Sequence, residues 1–251
     1  MNPKRWAASC AIAFALTCWL LAPAIAAESK AAPPFALLEL FTSEGCSSCP
    51  PADRLLSTLA AESRAHGTRV IALELHVDYW NTDDWTDPFS SRDYSRRQQE
   101  YAKILGLDQI YTPQLIVNGA TQFVGSDRKS ADAAIRSALA RTPAVALELR
   151  VTSGPDGYHV KYAKAGAPAG AVLYLALVDP REVKHVAGGE NEGRTLEHTN
   201  IVRRLVAVSS SAGATGTVTI PPVPGAIGRT MRVIGFVQDR NTLAVLGAAE
   251  E

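Results

Sequence analysis

The spacing of apolar residues changes in kind along the chain, and each change marks an element. Ala36-Leu-Leu-Glu-Leu-Phe41 is a short apolar run, as expected of a buried strand, and Leu55, Leu56 and Leu59 then recur at helical spacing within Pro51 to Glu62. Val70 to Val77 is again almost continuously apolar, the pattern of a strand covered on both faces. The polar stretch "DYWNTDDWTDPF" reads as a loop, and Ser91 is placed to cap a helix over 92–105 in which Arg96 and Glu100, four apart, form a supporting ion pair. "YTPQLIVNGATQFVG" predicts two short strands around Asn118-Gly119, a dipeptide that tolerates the positive φ of a tight hairpin, and a helix follows over 127–140. The crossovers demand parallel pairing and the hairpin antiparallel pairing, so the sheet is mixed.

After Thr142-Pro143 the period falls to two. Val145, Leu147, Leu149 and Val151 alternate with polar or small neighbours, as do Tyr158, Val160 and Tyr162 beyond a Pro-Asp-Gly turn. Further strands are expected at 171–178, 200–208, 216–220, 231–237 and 242–248 with no helix between them, the signature of a β-sandwich. The expected organisation is an α/β domain over 36–141 and an all-β sandwich-like domain over 144–251, with a lead segment at 27–35.

The N-terminus belongs to neither. Lys4 and Arg5 precede an apolar stretch from Trp6 to Leu21 that ends in Ala24-Ile25-Ala26, a small-x-small cleavage site, so residues 1–26 read as a cleavable signal peptide for the periplasm or the exterior. Its removal changes the formal charge from 0 to −2, since Lys4 and Arg5 leave, and takes away Cys10 and Cys18. A near-neutral chain without a basic run offers no electrostatic case for nucleic acid, or for a membrane once the signal is gone.

Cys46 and Cys49 are then the remaining thiols, spaced C-x-x-C at a strand-to-helix junction where unpaired backbone N–H groups and the helix dipole favour a thiolate. Pro50 and Pro51 are best tolerated in the first helical turn, which puts the expected cap at Ser47 or Ser48 and makes Cys46 the nucleophile. Glu39, inside the apolar strand, is a candidate proton carrier for the second thiol or the partner of a buried cation; Glu74 poses the same choice. Thr112-Pro113 stands directly before a strand, where a cis peptide could present backbone to the cysteines. His76, two residues after Glu74 on one strand face, could join Cys46 and Cys49 in a copper or zinc site. Tyr79, Trp80 and Trp85 form a candidate substrate-binding lip, and "GENEGRTLEHTN", with Glu190, Asn191, Arg194, His198 and Asn200, reads as a polar turn or as a patch docking onto the first domain.

The order of elements, the C-x-x-C at the first helix, the carboxylate on the preceding strand and Thr-Pro before the third strand together resemble the thioredoxin-like fold. "LLELFTSEGCSSCPPADRLL", "HVDYWNTDDWTDPFSSRDYSRRQQEYA", "YTPQLIVNG" with "VGSDR", and "GENEGRTLEHTNIVRRL" resemble more closely the exported bacterial family called domain of unknown function 1223. The thioredoxin-like resemblance implies that Cys46 attacks, Cys49 resolves, Pro113 is the cis-proline beside Thr112, and Glu39 carries the proton. It implies thiol–disulfide exchange with a protein thiol or disulfide partner, the Cys46–Cys49 disulfide itself serving as redox centre without a diffusible cofactor. Gly45, Ser47-Ser48 and Pro50-Pro51 depart from the thioredoxin pattern, so the resemblance leaves the direction of exchange open.

Overall fold

A computed structural model describes residues 32–209, 211–224 and 230–251. The signal-peptide expectation lies outside them; among the described residues no helix is long and apolar enough to cross a membrane.

The elements follow as β1 (Ala36–Thr42), α1 (Pro50–His66), β2 (Val70–His76), α2 (Arg92–Leu105), β3 (Gln114–Val117), β4 (Thr121–Val124) and α3 (Arg128–Leu139). Seven strands come next: β5 (Ala146–Gly154), β6 (Gly157–Ala165), β7 (Val172–His185), β8 (Thr195–Val208), β9 (Thr215–Ile220), β10 (Arg232–Gln238) and β11 (Val245–Glu250). β1 and β2 are parallel, with Thr42 beside His76, while β3 runs antiparallel to β1 and turns into β4 at Asn118 and Gly119, both at positive φ. The hairpin and mixed sheet therefore form as expected from Asn-Gly.

The later strands do not make a separate sandwich. β11, β10, β7 and β8 continue the sheet beyond β2, giving the order β11-β10-β7-β8-β2-β1-β3-β4, and β5, β6 and β9 form a second sheet of three strands. An α/β region and a β-rich region thus share one sheet. Leu147, Leu149 and Val160 of the small sheet pack on Leu173, Leu175 and Val233 of the large one, so a sandwich-like layer exists, but its larger half is borrowed. The reason is visible in β7 and β8. Each runs for 14 residues, past the apolar segments at 171–178 and 200–208; β8 pairs with β2 at Glu74 and Ile201, within the expected segment, and just before it Thr199 N–H donates to Glu74 Oε1 at 3.0 Å.

Alternation along β1 separates the other two cores. Leu38 and Leu40 face Leu56 and Leu59 of α1, while Leu37 and Phe41 face Tyr94 and Tyr101 of α2. Ser91 caps α2 as expected, accepting from Asp93 N–H, but Arg96 pairs with Asp93 rather than Glu100. The N-cap of α1 falls one residue beyond the expected Ser47 or Ser48. It is Cys49, without a side-chain cap bond, because Pro50 and Pro51 occupy the positions whose N–H groups would be free in any case.

Candidate functional site

The first turn of α1 and the loop before it lie at the C-terminal ends of the parallel strands β1 and β2, where open α/β sheets commonly place ligands. Cys46 and Cys49 are joined in a disulfide with Cα atoms 5.4 Å apart. Successive turns shape the loop, Cys46 N–H donating to Ser43 O and Cys49 N–H to Cys46 O, each at 3.2 Å. Thr112-Pro113 is cis, and the Thr112 hydroxyl donates to Cys46 Sγ at 3.4 Å while accepting from Trp80 Nε1 at 2.7 Å. Cys46, Cys49, Thr112, Pro113 and Trp80 are therefore one neighbourhood, as the sequence suggested.

Glu39 is not part of it. Odd-numbered residues of β1 face α2, away from the helix that carries the cysteines, and there Arg97 Nε meets Glu39 Oε2 at 2.5 Å and Arg97 Nη2 meets Oε1 at 3.0 Å. Tyr101 OH adds a third bond at 2.5 Å. The buried-cation reading of Glu39 is the one the geometry supports, and the expectation of a proton carrier is corrected.

Both cysteines are fully buried, because a strap from the turn between β7 and β8 covers them. Asn191 Nδ2 donates to Glu44 O and to Cys46 O, both at 2.8 Å, Glu190 accepts from Ser47 N–H at 2.9 Å, and Glu190 N–H reaches Gly45 O at 3.3 Å. Glycines suit this cover: a Cβ on Gly45 would crowd Trp80 and Trp85 at 3.2–3.3 Å, and one on Gly188 would lie 2.6 Å from Trp85 Cγ. The two tryptophans thus pack against Gly45 beside Cys46, whereas Tyr79, the most exposed of the proposed lip, turns its hydroxyl to Gln98 Oε1. The docking reading of "GENEGRTLEHTN" is the one realised.

Beneath the disulfide lies a buried polar cluster that the sequence reading only partly anticipated. Its members are Glu44, Asp53, Glu74, His76, Asp87 and His198, all at most 2 % exposed. His76 Nδ1 bonds Asp87 Oδ2 at 2.8 Å, and His198 Nδ1 bonds Glu74 Oε2 at 3.0 Å. Burial opposes charge on both rings, but the Asp87 carboxylate lifts His76 to about 9, and Glu44 and Glu74 lift His198 to about 11. Asp87 shows the converse: burial raises it, yet His76 and the N–H groups of Glu44 and Phe89 bring it down to about 2. Burial and then the Glu74 charge push Asp53 up to about 7, against the pull of His198 and the Thr42 hydroxyl. For Glu74 the hydrogen bonds from His198 and His76 outweigh burial, and its pKa falls.

Of the soft-metal set considered above, His76 does not come with the cysteines. Its ring is held by Asp87, 4.9 Å from the His198 ring, and the two sulfurs are bonded to each other. Asp53 is not among the residues singled out in the sequence, and His198, read there as part of a polar turn or docking patch, turns out to face Glu74; each left a sign. Asp53 shares the apolar face of α1 with Leu56 and Ala60 at helical spacing, and His198 shares one buried face of β8 with Leu196 and Asn200, alternating with Glu197 and Thr199.

The family model described as protein of unknown function (DUF1223) matches residues 37–238. The chain belongs to this family. It is also similar to the crystal structure of protein AGR_C_4864 from Agrobacterium tumefaciens, at 26 % identity and a TM-score of 0.63, covering 87 % of this chain and 94 % of that one. HBP35 of Porphyromonas gingivalis resembles it in fold, at 16 % identity and a TM-score of 0.63 over 88 % of this chain and 75 % of that one. No functionally curated protein matches the chain. The DUF1223 description assigns no reaction.

Proposed function

We propose that this DUF1223 protein is exported and carries out thiol–disulfide exchange through Cys46 and Cys49, as a thioredoxin-like protein would. The observation that carries the reading is the Cys46–Cys49 disulfide directly ahead of α1, with the Thr112 hydroxyl on the Cys46 sulfur. In the reduced state, Cys46 thiolate attacks a partner disulfide, forming a mixed disulfide and releasing one partner thiolate. Cys49 thiolate then attacks the Cys46 sulfur, releasing the second, so the pair ends oxidised and the partner reduced by two electrons. In the reverse direction a partner thiolate attacks Cys46, forming a mixed disulfide and releasing the Cys49 thiolate; a second partner thiolate then attacks the partner sulfur and releases the Cys46 thiolate, so the pair ends reduced and the partner oxidised by two electrons. Either direction requires the Glu190–Asn191 strap to leave, after which Thr112, Trp80, Trp85 and Tyr79 flank the approach to the sulfurs. No diffusible cofactor enters these steps.

The complete burial of both cysteines favours a second reading, a structural disulfide in a binding module. Its loop is so short that the chain-entropy model grants only about 2 kcal/mol of stabilisation. Two measurements separate the readings. Cys49→Ala should accumulate mixed disulfides on Cys46 in the exported compartment, and the wild-type pair should have a reduction potential above about −300 mV. A folded, exported Cys49→Ala protein with no trapped partner, together with a potential far below that value, would overturn exchange in favour of the structural disulfide.

A further inference from the structure

The cluster under the disulfide has the layout of a metal site. Ligand atoms of Glu74, His76 and His198 all lie within 4.8 Å of one another. Glu74 Oε2 stands at the centre, 3.0 Å from His198 Nδ1 and 3.7 Å from His76 Nε2. A tetrahedral ion with bonds of ~2.0–2.2 Å separates its ligands by ~3.3–3.6 Å, between these two spacings. Small side-chain adjustments would bring all three donors onto one ion.

The outer atoms fit equally well. Each imidazole turns one nitrogen to Glu74 and the other to a further carboxylate: His76 Nδ1 to Asp87 at 2.8 Å, and His198 Nε2 to Glu44 Oε1 at 3.4 Å. Metal-ligating histidines are oriented in this manner by a carboxylate on the far nitrogen. A second, independent observation points into the same space. His76 Nε2, the nitrogen turned to Glu74, and Asp53 Oδ2 are buried without a hydrogen-bond partner. Each such orphan is costly, and an ion would relieve those it touches.

We propose that Glu74, His76 and His198 bind one divalent cation of the zinc class, with Asp53 the carboxylate that can close the fourth side and Asp87 and Glu44 orienting the two imidazoles. Two imidazoles with carboxylate oxygens suit zinc better than calcium or magnesium, which take oxygen ligands, or copper(I), which prefers sulfur. The site uses no thiol and is independent of the exchange chemistry proposed above. By tying β2 and β8 together, with Asp53 of α1 beside them, the ion would brace the floor on which the cysteine turn rests.

The competing arrangement is a proton on each ring, which supplies the same two positive charges without an ion. Zinc titration of the chelator-treated exported chain, by calorimetry and by thermal unfolding, distinguishes the two. One equivalent should bind, and the unfolding temperature should rise until that equivalent is reached. Cobalt(II) in place of zinc should give tetrahedral visible bands without thiolate charge transfer. Cys46→Ser/Cys49→Ser should bind as the unmutated chain does, Asp87→Asn should weaken affinity ~10–100-fold, and His76→Gln or His198→Gln should abolish one-to-one binding. The proposal is overturned by the absence of saturable heat and thermal shift in the unmutated chain. It is equally overturned if the folded cysteine double variant loses the ion, or if both histidine variants keep it.

Discussion

Arg97→Met removes the guanidinium from Glu39 and tests whether that carboxylate belongs to the architecture or to the chemistry. Arg97 is 5 % exposed and Glu39 1 %, and the guanidinium contacts both carboxylate oxygens as well as Gln238 Oε1 at 3.2 Å. It also lies 4.9–5.2 Å from the ring centres of Tyr101, Tyr174 and Phe236. Methionine keeps part of the ring contact and leaves Glu39 with Tyr101 as its remaining partner. Breaking a buried pair from one side costs ~3–5 kcal/mol, chiefly because the other charge stays buried. At ~2–4 °C per kcal/mol for a chain of this size, the melting temperature should fall by about 6–20 °C. Urea denaturation under non-reducing conditions should show a lower midpoint at unchanged slope. Glu39→Leu/Arg97→Met, which removes both charges, should recover much of the loss, whereas the rate of disulfide exchange with a small thiol should be unchanged in Glu39→Gln. A loss below about 1 kcal/mol in Arg97→Met would refute the energetic argument. A slowed exchange in Glu39→Gln would return Glu39 to the thiols and refute the geometric one.

Asn191→Ala removes two hydrogen bonds that hold the strap, each worth ~0.5–1.5 kcal/mol, so reduction of the disulfide by a small thiol should quicken by about 5- to 150-fold; an unchanged rate by alkylation and mass analysis would mean the strap does not limit access. Gly119→Ala, at φ +67° with a Cβ 1.9 Å from Leu243 O, should destabilise the fold by more than ~2 kcal/mol, while Gly67→Ala, also at positive φ but in open space, should lose only ~1 kcal/mol; equal losses would remove the steric part of the argument. In alkaline solution, burial lifts the Tyr79, Tyr94, Tyr101 and Tyr111 phenols, Tyr79 to about 12, so the unfolded chain gives up protons first and stability should fall as pH climbs above ~10. Ultraviolet titration should find fewer than seven tyrosines ionising at the midpoint of the unfolded chain, and a single wave of full amplitude there would contradict this.

Local signals in the sequence were reliable where one residue type has one structural use. Ser91 capped α2, Asn118-Gly119 made the hairpin, and Thr112-Pro113 came to the cysteines in the cis form. The side of β1 that Glu39 faces was not legible, because the partner, Arg97, is 58 residues away on a helix whose apolar face also carries that arginine inward. The shared sheet escaped for a related reason. Period-two patterning marks β7 and β8 as strands but does not say how far their polar ends continue or which edge they join, and β8 meets β2 at Ile201, whose pattern identifies a strand residue but not its partner. The meeting of His198 with Glu74 was hidden by the same long-range closure, since 124 residues separate them, and Asp53 reaches the cluster only because α1 packs against these strands.

The β7–β8 hairpin makes the cysteine turn impossible to lift out as a module. A gene fragment ending at Pro143 would encode the disulfide without Glu190 and Asn191 to cover it and Glu74 without His198 to face it, and it would leave the edge of β2 bare. Recombination that exchanged only the later strands would break the same contacts from the other side. The two regions must therefore be inherited together, and substitutions in a turn more than 140 residues from the cysteines are, in their effect, substitutions at the cysteines.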